Sequence, residues 1–166
     1  MSIIKLTLVL ALCTLIAQPL TTGSNDTGFE LTLRVTKTQS KNQPLTVEFT
    51  IENVSKIELW LQETSAERDY ALEVRDSRGQ EAPLTERGRM LQNNKGEIFR
   101  NIVVKLRPSE RKIDTIDVGS LYDLSQPGTY SLRATRRAVK ISSRTNWTLV
   151  ESNTVTFKIE TPVTDK

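Results

Sequence analysis

The stretch Leu124-Ser125-Gln126-Pro127-Gly128-Thr129-Tyr130-Ser131-Leu132-Arg133-Ala134 holds a turn and then a strand. Pro127 presets one turn dihedral and Gly128 tolerates the next. From Tyr130 onward, apolar Tyr130, Leu132 and Ala134 alternate with Ser131 and Arg133. Side chains of a strand point to opposite faces in turn, so such a run buries one face and wets the other. One-sided burial marks antiparallel sheets.

The same alternation extends outward along the chain. Phe29, Leu31, Leu33 and Val35 carry it, as do Leu45, Val47, Phe49 and Ile51. Ile57, Leu59 and Leu61 follow, then Tyr70, Leu72 and Val74, and finally Val155, Phe157 and Ile159. Trp60 falls on the face opposite Leu59 and Leu61 if its strand is regular, and joins the core if a bulge intervenes. Turn residues separate the runs at Ser77-Arg78-Gly79, Asn93-Asn94-Lys95-Gly96 and Gln126-Pro127-Gly128. Pro44 and Pro108 fall at strand edges, where a missing N–H does least harm. Arg107 to Glu110 reads as a loop leading into a strand around Ile113 to Val118. Ser120 to Ser125 reads as one short helical turn. No stretch after the N-terminus keeps apolar residues at helical spacing for three turns.

Many short strands at this spacing predict two sheets packed face to face. A Tyr at the start of a strand, folding its hydroxyl back onto upstream backbone, is the tyrosine corner of immunoglobulin-like sandwiches. Tyr130, with Pro127 and Gly128, takes that place. The Cys that antibody domains put two residues later is Leu132 here. The fold class expected is therefore all-β, an immunoglobulin-like antiparallel β-sandwich of about 7–9 strands.

The chain has 166 residues, with 23 Lys+Arg, 20 Asp+Glu, no His and one Cys. That length suits a single domain, here residues 28–162. At 37% hydrophobic and 26% charged it is ordinary globular material. Without His, no Ser-His-Asp or Cys-His nucleophile can be assembled, and no imidazole ligand is available for zinc. One Cys makes neither an internal disulfide nor a Cys-rich metal site.

The N-terminus reads as an export signal. Lys5 precedes Leu6 to Ile16, an apolar run of 11 residues interrupted in polarity only by Thr7 and Thr14. A bilayer-spanning helix needs about 20. Residues 1–17 are read as the signal peptide, with a cut after Ala17 or as late as Gly23, and residues 18–27 as a flexible lead. No transmembrane span is expected after cleavage, and the compartment is periplasmic or extracellular. Leu10-Ala11-Leu12-Cys13 is faintly like a lipoprotein box. Leu12 is too large for it, so Cys13 reads as ordinary signal material. An exported domain without disulfides fits a bacterial envelope.

The body resembles two groups of immunoglobulin-like modules. One is the non-catalytic N-terminal domain of deuterolysin-type zinc metalloendopeptidases, over Phe29 to about Glu160. Tyr70 to Asp76, Leu84 to Gly88, Leu106 to Glu110, Val118 to Tyr130 and Ser152 to Val155 carry it. In such proteases the catalytic part follows, with a His-Glu-x-x-His helix. This chain has no His, so protease activity does not transfer. The other group is the bacterial intracellular proteinase inhibitors. Val47 to Asn53, Tyr70 to Gly79, Leu106 to Glu110 and Pro127 to Tyr130 are similar to their strand and Pro-Gly-x-Tyr pattern. The export signal departs from an intracellular inhibitor.

Candidate chemistry is thin. Asp114 and Asp117 are formally a carboxylate pair, but a lone sandwich rarely builds a glycosidase cleft, and both read as decorating a solvated strand. Asp76 reads as a β-turn residue and Asp123 as a cap, not as calcium ligands. No enzyme activity and no cofactor are expected. Arg133, Arg136, Arg137, Lys140 and Arg144 form one run with no acidic residue among them, and Trp147 follows. Arg fits carboxylate and phosphate geometry, and an exposed Trp can anchor a partner. These five are the candidate contact to an acidic protein or an anionic surface; a solvated hairpin connection with Trp147 in the core is the alternative. Loss of Lys5 with the signal lowers the formal charge from +3 to +2. That small excess, without a stacking platform, argues against nucleic acid. Sequons stand at Asn25, Asn53 and Asn146 and matter only where a secretory pathway glycosylates. The function expected is surface contact with another macromolecule. Two alternatives are a protease regulator, with Arg87 to Gly96 or the basic run entering a protease cleft, and a structural accessory of the envelope. Oligomeric state is not readable from these residues.

Overall fold

The computed structural model describes residues 28–37, 44–93, 102–139 and 147–160. The residues read as an export signal and lead, Cys13, the sequons at Asn25 and Asn146, and Lys140 and Arg144 lie outside them. Among the described residues the chain forms nine strands. They are β1 (Phe29–Lys37), β2 (Thr46–Asn53), β3 (Leu59–Glu63), β4 (Tyr70–Asp76), β5 (Ile102–Leu106), β6 (Arg111–Asp117), β7 (Gly128–Val139), β8 (Trp147–Glu151) and β9 (Val155–Ile159). The paired strands are all antiparallel. The smaller sheet has the order β1-β2-β6; the larger runs β4-β7-β3-β5, with β8 and β9 also on β7. The domain is thus all-β, as the alternation predicted.

β2 shows why the period decides the fold. Val47, Phe49, Ile51 and Asn53 are buried while the residues between them are half-exposed. The register sets Leu31 opposite Ile51 and Leu33 opposite Phe49, so two strands bury the same rungs. Burial of each such side chain stabilises by about 1.5–3 kcal/mol. Both sheets feed one buried cluster. Across it, the Phe49 ring of β2 lies 4.7 Å from the Tyr70 ring of β4.

The long strand β7 organises the larger sheet. β4 pairs with its residues 130–136, and β3 touches it only at Trp60–Val139. Between β3 and β4 lies α1 (Ala66–Asp69), a single turn. On the other flank, β9 pairs with residues 128–132 and β8 with 135–139. Each flank of β7 is therefore built from two consecutive strands with a break between them. On the β8–β9 side Ser152 fills the break: its Oγ accepts from Ala134 N at 2.9 Å.

Four elements escaped the sequence reading: α1, α2 (Glu86–Asn93), β5 and β8. β5 lies in a stretch without clean alternation, since Ile102, Val103 and Val104 are consecutive. α2 is only 8 residues, and its one buried residue is Gly88. Thr85 caps it, accepting from Gly88 N at 3.1 Å. The short helical turn expected at Ser120 to Ser125 is instead a 3-10 turn at Val118–Ser120.

Gly88 explains how so short a helix docks. A Cβ there would lie 2.2 Å from Leu121 O, a backbone atom that cannot step aside. Gly88→Ala is expected to push α2 off the 3-10 turn and cost about 2–3 kcal/mol. Urea unfolding measures it, and an unchanged midpoint would mean that α2 does not pack as described.

Candidate functional site

Period two puts residue 136 of β7 on the same face as Tyr130, Leu132 and Ala134, and that residue is an arginine. Arg136 is 1% exposed, so as a contact for an outside partner the expectation fails. Its guanidinium sits where β3 and β4 part along β7. Nη1 donates to Tyr70 Oη at 2.7 Å and lies 3.3 Å from Asp114 Oδ2. Nη2 is 3.5 Å from Asp69 Oδ2 and 3.7 Å from Glu63 Oε1, and donates to Gln62 O at 3.5 Å. The guanidinium carbon also lies 4.8 Å from the centre of the Tyr70 ring.

Asp114 is the second correction. It sits opposite Phe49 in the β2–β6 register, and its side chain is 13% exposed. It accepts from Tyr70 Oη at 2.8 Å and from Lys112 Nζ. Lys112 Nζ also lies 3.1 Å from Glu63 Oε1. Asp69 accepts from Thr64 N and Thr64 Oγ1, which fixes the turn before α1. The cluster thus holds two cations and three carboxylates from β3, α1, β6 and β7. Burial pushes the Tyr70 phenol up, with the Arg136 charge opposing it. Burial also works against ionised Asp114, but hydrogen bonds from Lys112 and Tyr70, with the Lys112 and Arg136 charges, hold its carboxyl below the usual range. Asp117 is half-exposed, and its buried Oδ1 has no hydrogen-bond partner.

The other members of the basic run disperse. Arg133 lies outward, 2.8 Å from Glu73 and 4.0 Å from Glu151. Arg137 is exposed on the outer face and faces Leu149 in the register. Residues 128–139 are one continuous strand, neither a basic loop nor a hairpin connection. Around Tyr130 the corner geometry is present, with Tyr130 Oη donating to Gln126 O at 2.8 Å. Asp123 Oδ1 accepts from Ser125 N, and Asp76 Oδ1 from Arg78 N and Gln80 N, so both carboxylates are spent on turns. Asn53 is fully buried, and its Nδ2 donates to Ile57 O and Leu106 O. Its sequon is closed to modification in the folded chain.

The outer face of the larger sheet carries what the core does not. β3 is regular, so Trp60 lies opposite buried Leu59 and Leu61 and stays half-exposed. Its Nε1 donates to Glu58 at 3.2 Å, and Lys105 Nζ lies 5.3 Å from the ring centre. The rung Lys105–Trp60–Val139–Trp147 crosses four strands. Beside it, Val103 is 54% and Leu149 60% exposed. A separate cleft of ≈290 Å³ opens between β4 and α2, over Leu72, Val74, Leu84 and Leu91. Glu67, Glu73 and Glu81 line it, but Arg87, Arg75 and Arg133 neutralise them. Burial, with Glu81 and Glu73 nearby, pushes Tyr122 in this cleft up to about 12.

Among the described residues, no group of three His, Cys, Asp or Glu is placed to hold a metal ion. No helix among them is long and apolar enough to cross a membrane. No family model matches the chain, and no curated protein matches it.

Arg136→Met fills the same space but removes one of the two cations that face three carboxylates. It is expected to cost about 3–5 kcal/mol in urea unfolding at neutral pH. A loss under about 1 kcal/mol would show that the cluster does not hold the sheets. Acid acts on the same cluster. Asp114 titrates below its ordinary 3.8 in the folded chain. Its contribution is therefore full above about pH 4 and is lost as pH falls through the lower folded value. Asp114→Asn should flatten the fall of stability with pH below about 4, and an unaltered acid limb would overturn this.

Proposed function

We propose that the chain is an exported immunoglobulin-like β-sandwich without catalytic chemistry, which works by holding another macromolecule on the outer face of its larger sheet. Export rests on Lys5 and the apolar run after it. The sandwich reading rests on two antiparallel sheets sharing one buried cluster and on the Tyr130 corner. The observation that carries the binding reading is the outer-face group of Trp60, Val103, Leu149, Lys105 and Arg137. Apolar side chains over half exposed, beside an aromatic and cations, mark interaction sites more than solvated faces. The partner that fits is a protein with an apolar patch bordered by carboxylates.

The protease-regulator reading is weaker. Its candidate loop begins at Arg87, and the chain is helical through Asn93, with Gly88 clamped on Leu121. Proteins that pair with a bound segment along its backbone take extended chain, not helix.

The test immobilises the chain, incubates it with envelope extract from the source cell, and compares it with the variant Trp60→Ser/Arg137→Ser/Leu149→Ser. Arg136 is left intact because its loss would unfold the site. A partner captured by the parent and reduced at least about tenfold by the variant, at equal urea midpoints, supports the proposal. Equal capture by both proteins overturns it.

A further inference from the structure

Open strand edges are templates for pairing with another chain, and proteins usually guard them. Here β1, β4 and β6 each carry guards. Beside β1, the Asn153 side chain accepts from Leu33 N at 2.7 Å and donates to Leu33 O at 3.3 Å. A bridge from Leu31 to Ser152 closes the next rung. Beside β4, Tyr122 Oη donates to Leu72 O at 2.7 Å and Ala82 N to Val74 O at 2.9 Å. β6 is charged at four of its seven positions, Arg111, Lys112, Asp114 and Asp117, and α1 packs against it.

β5 has none of these guards. Its sequence is Ile102-Val103-Val104-Lys105-Leu106, β-branched, without Pro, and with a single charge. It pairs with β3 on one side, and among the described residues nothing pairs with the other. Ile102 is 55% and Val103 54% exposed. These two belong to opposite faces: Ile102 shares a face with buried Leu106, and Val103 with Trp60. A partner docked flat on one face would cover one of them. A strand added to the edge covers both.

We propose that β5 pairs with β5 of a second copy of this chain, antiparallel and symmetric about Val104, so that two larger sheets become one. In this register Val103 faces Lys105 of the second copy, and Ile102 faces Leu106. No like charges meet, and the β-branched edge is complementary to itself, which a two-fold interface requires. The lone Lys105 is already anchored, 3.4 Å from Glu58. Five residues make a small interface, so the dimer is weak and forms with rising concentration. This pairing does not depend on the partner proposed above.

Sedimentation velocity of the chain freed of its export segment tests it, because every described strand starts after Gly28. The expected result is monomer at low concentration, with dimer appearing on the order of 100 µM. Val103→Lys sets Lys against Lys at two symmetric positions and should abolish the dimer. Val103→Glu sets Glu against Lys and should tighten it about threefold. Both variants change the one exposed position 103, so folding is kept, and matching circular dichroism spectra verify that. Monomer throughout, or a dimer indifferent to the sign of the charge at 103, overturns the proposal. Sedimentation uses the protein alone, so its failure is distinct from a failure to capture a partner.

Discussion

The positive charge of Arg136 is the constraint on which the two sheets depend. An unpaired buried charge costs several kcal/mol even after relaxation, so its surroundings must answer it or the strand cannot fold there. The answer comes from four places in the chain. Glu63 ends β3, Asp69 ends α1, Tyr70 begins β4, and Asp114 lies in β6 of the other sheet. None of these segments is anchored by Arg136 alone. Together they fix where β3 stops, where β4 starts and how the sheets face each other.

Such a cluster is weak as a source of stability, because well-packed apolar side chains of similar volume often do as well. Its stronger effect is on specificity. Slipping β7 by one residue against β4 would turn Arg136 outward and set Arg137 among the carboxylates, while moving Leu132 and Ala134 out of the core. The apolar rungs and the charge therefore vote for the same register. The satisfaction is incomplete: Arg136 Nε and Glu63 Oε1 are buried without hydrogen-bond partners. That leaves Glu63 dependent on ion pairing with Lys112 and Arg136, and ties the end of β3 to the charge state of its neighbours.

What the sequence made legible, and what it hid, follow from one conflict. Alternation showed the strands wherever apolar residues held the inward places, as in Val47-Glu48-Phe49-Thr50-Ile51. The turn before Tyr130 was readable for the same local reason, since Pro127 and Gly128 need no distant contact to act. Arg136 and Asp114 also hold inward places, two residues beyond Ala134 and two before Ile116. Their charge argues for solvent, and read one residue at a time that argument outweighs the inward position. Neither could be read alone, because the burial of each is made possible by the other, 22 residues away in the chain. The signal available was a pair of opposite charges, each at an inward position. α2 stayed hidden because its buried contact is a glycine, which leaves no apolar stripe.

The same break that receives Arg136 also shapes the outer surface. β3 meets β7 at the single rung Trp60–Val139, yet runs alongside β5 for all five of its residues. With α1 inserted, β3 cannot continue down β7, and that place is taken by β4. The β3–β5 pair therefore extends the larger sheet on one side, away from its centre. Residues there lack a second layer over their full length, and Val103 and Ile102 stay exposed although their sequence is as apolar as that of a core strand. A buried arginine in the middle of the sheet and an uncovered apolar edge at its end are two results of one interruption. Within one chain the edge stays uncovered as long as the gap holds the charge that aligns the two sheets; only a strand from outside covers it without disturbing that charge.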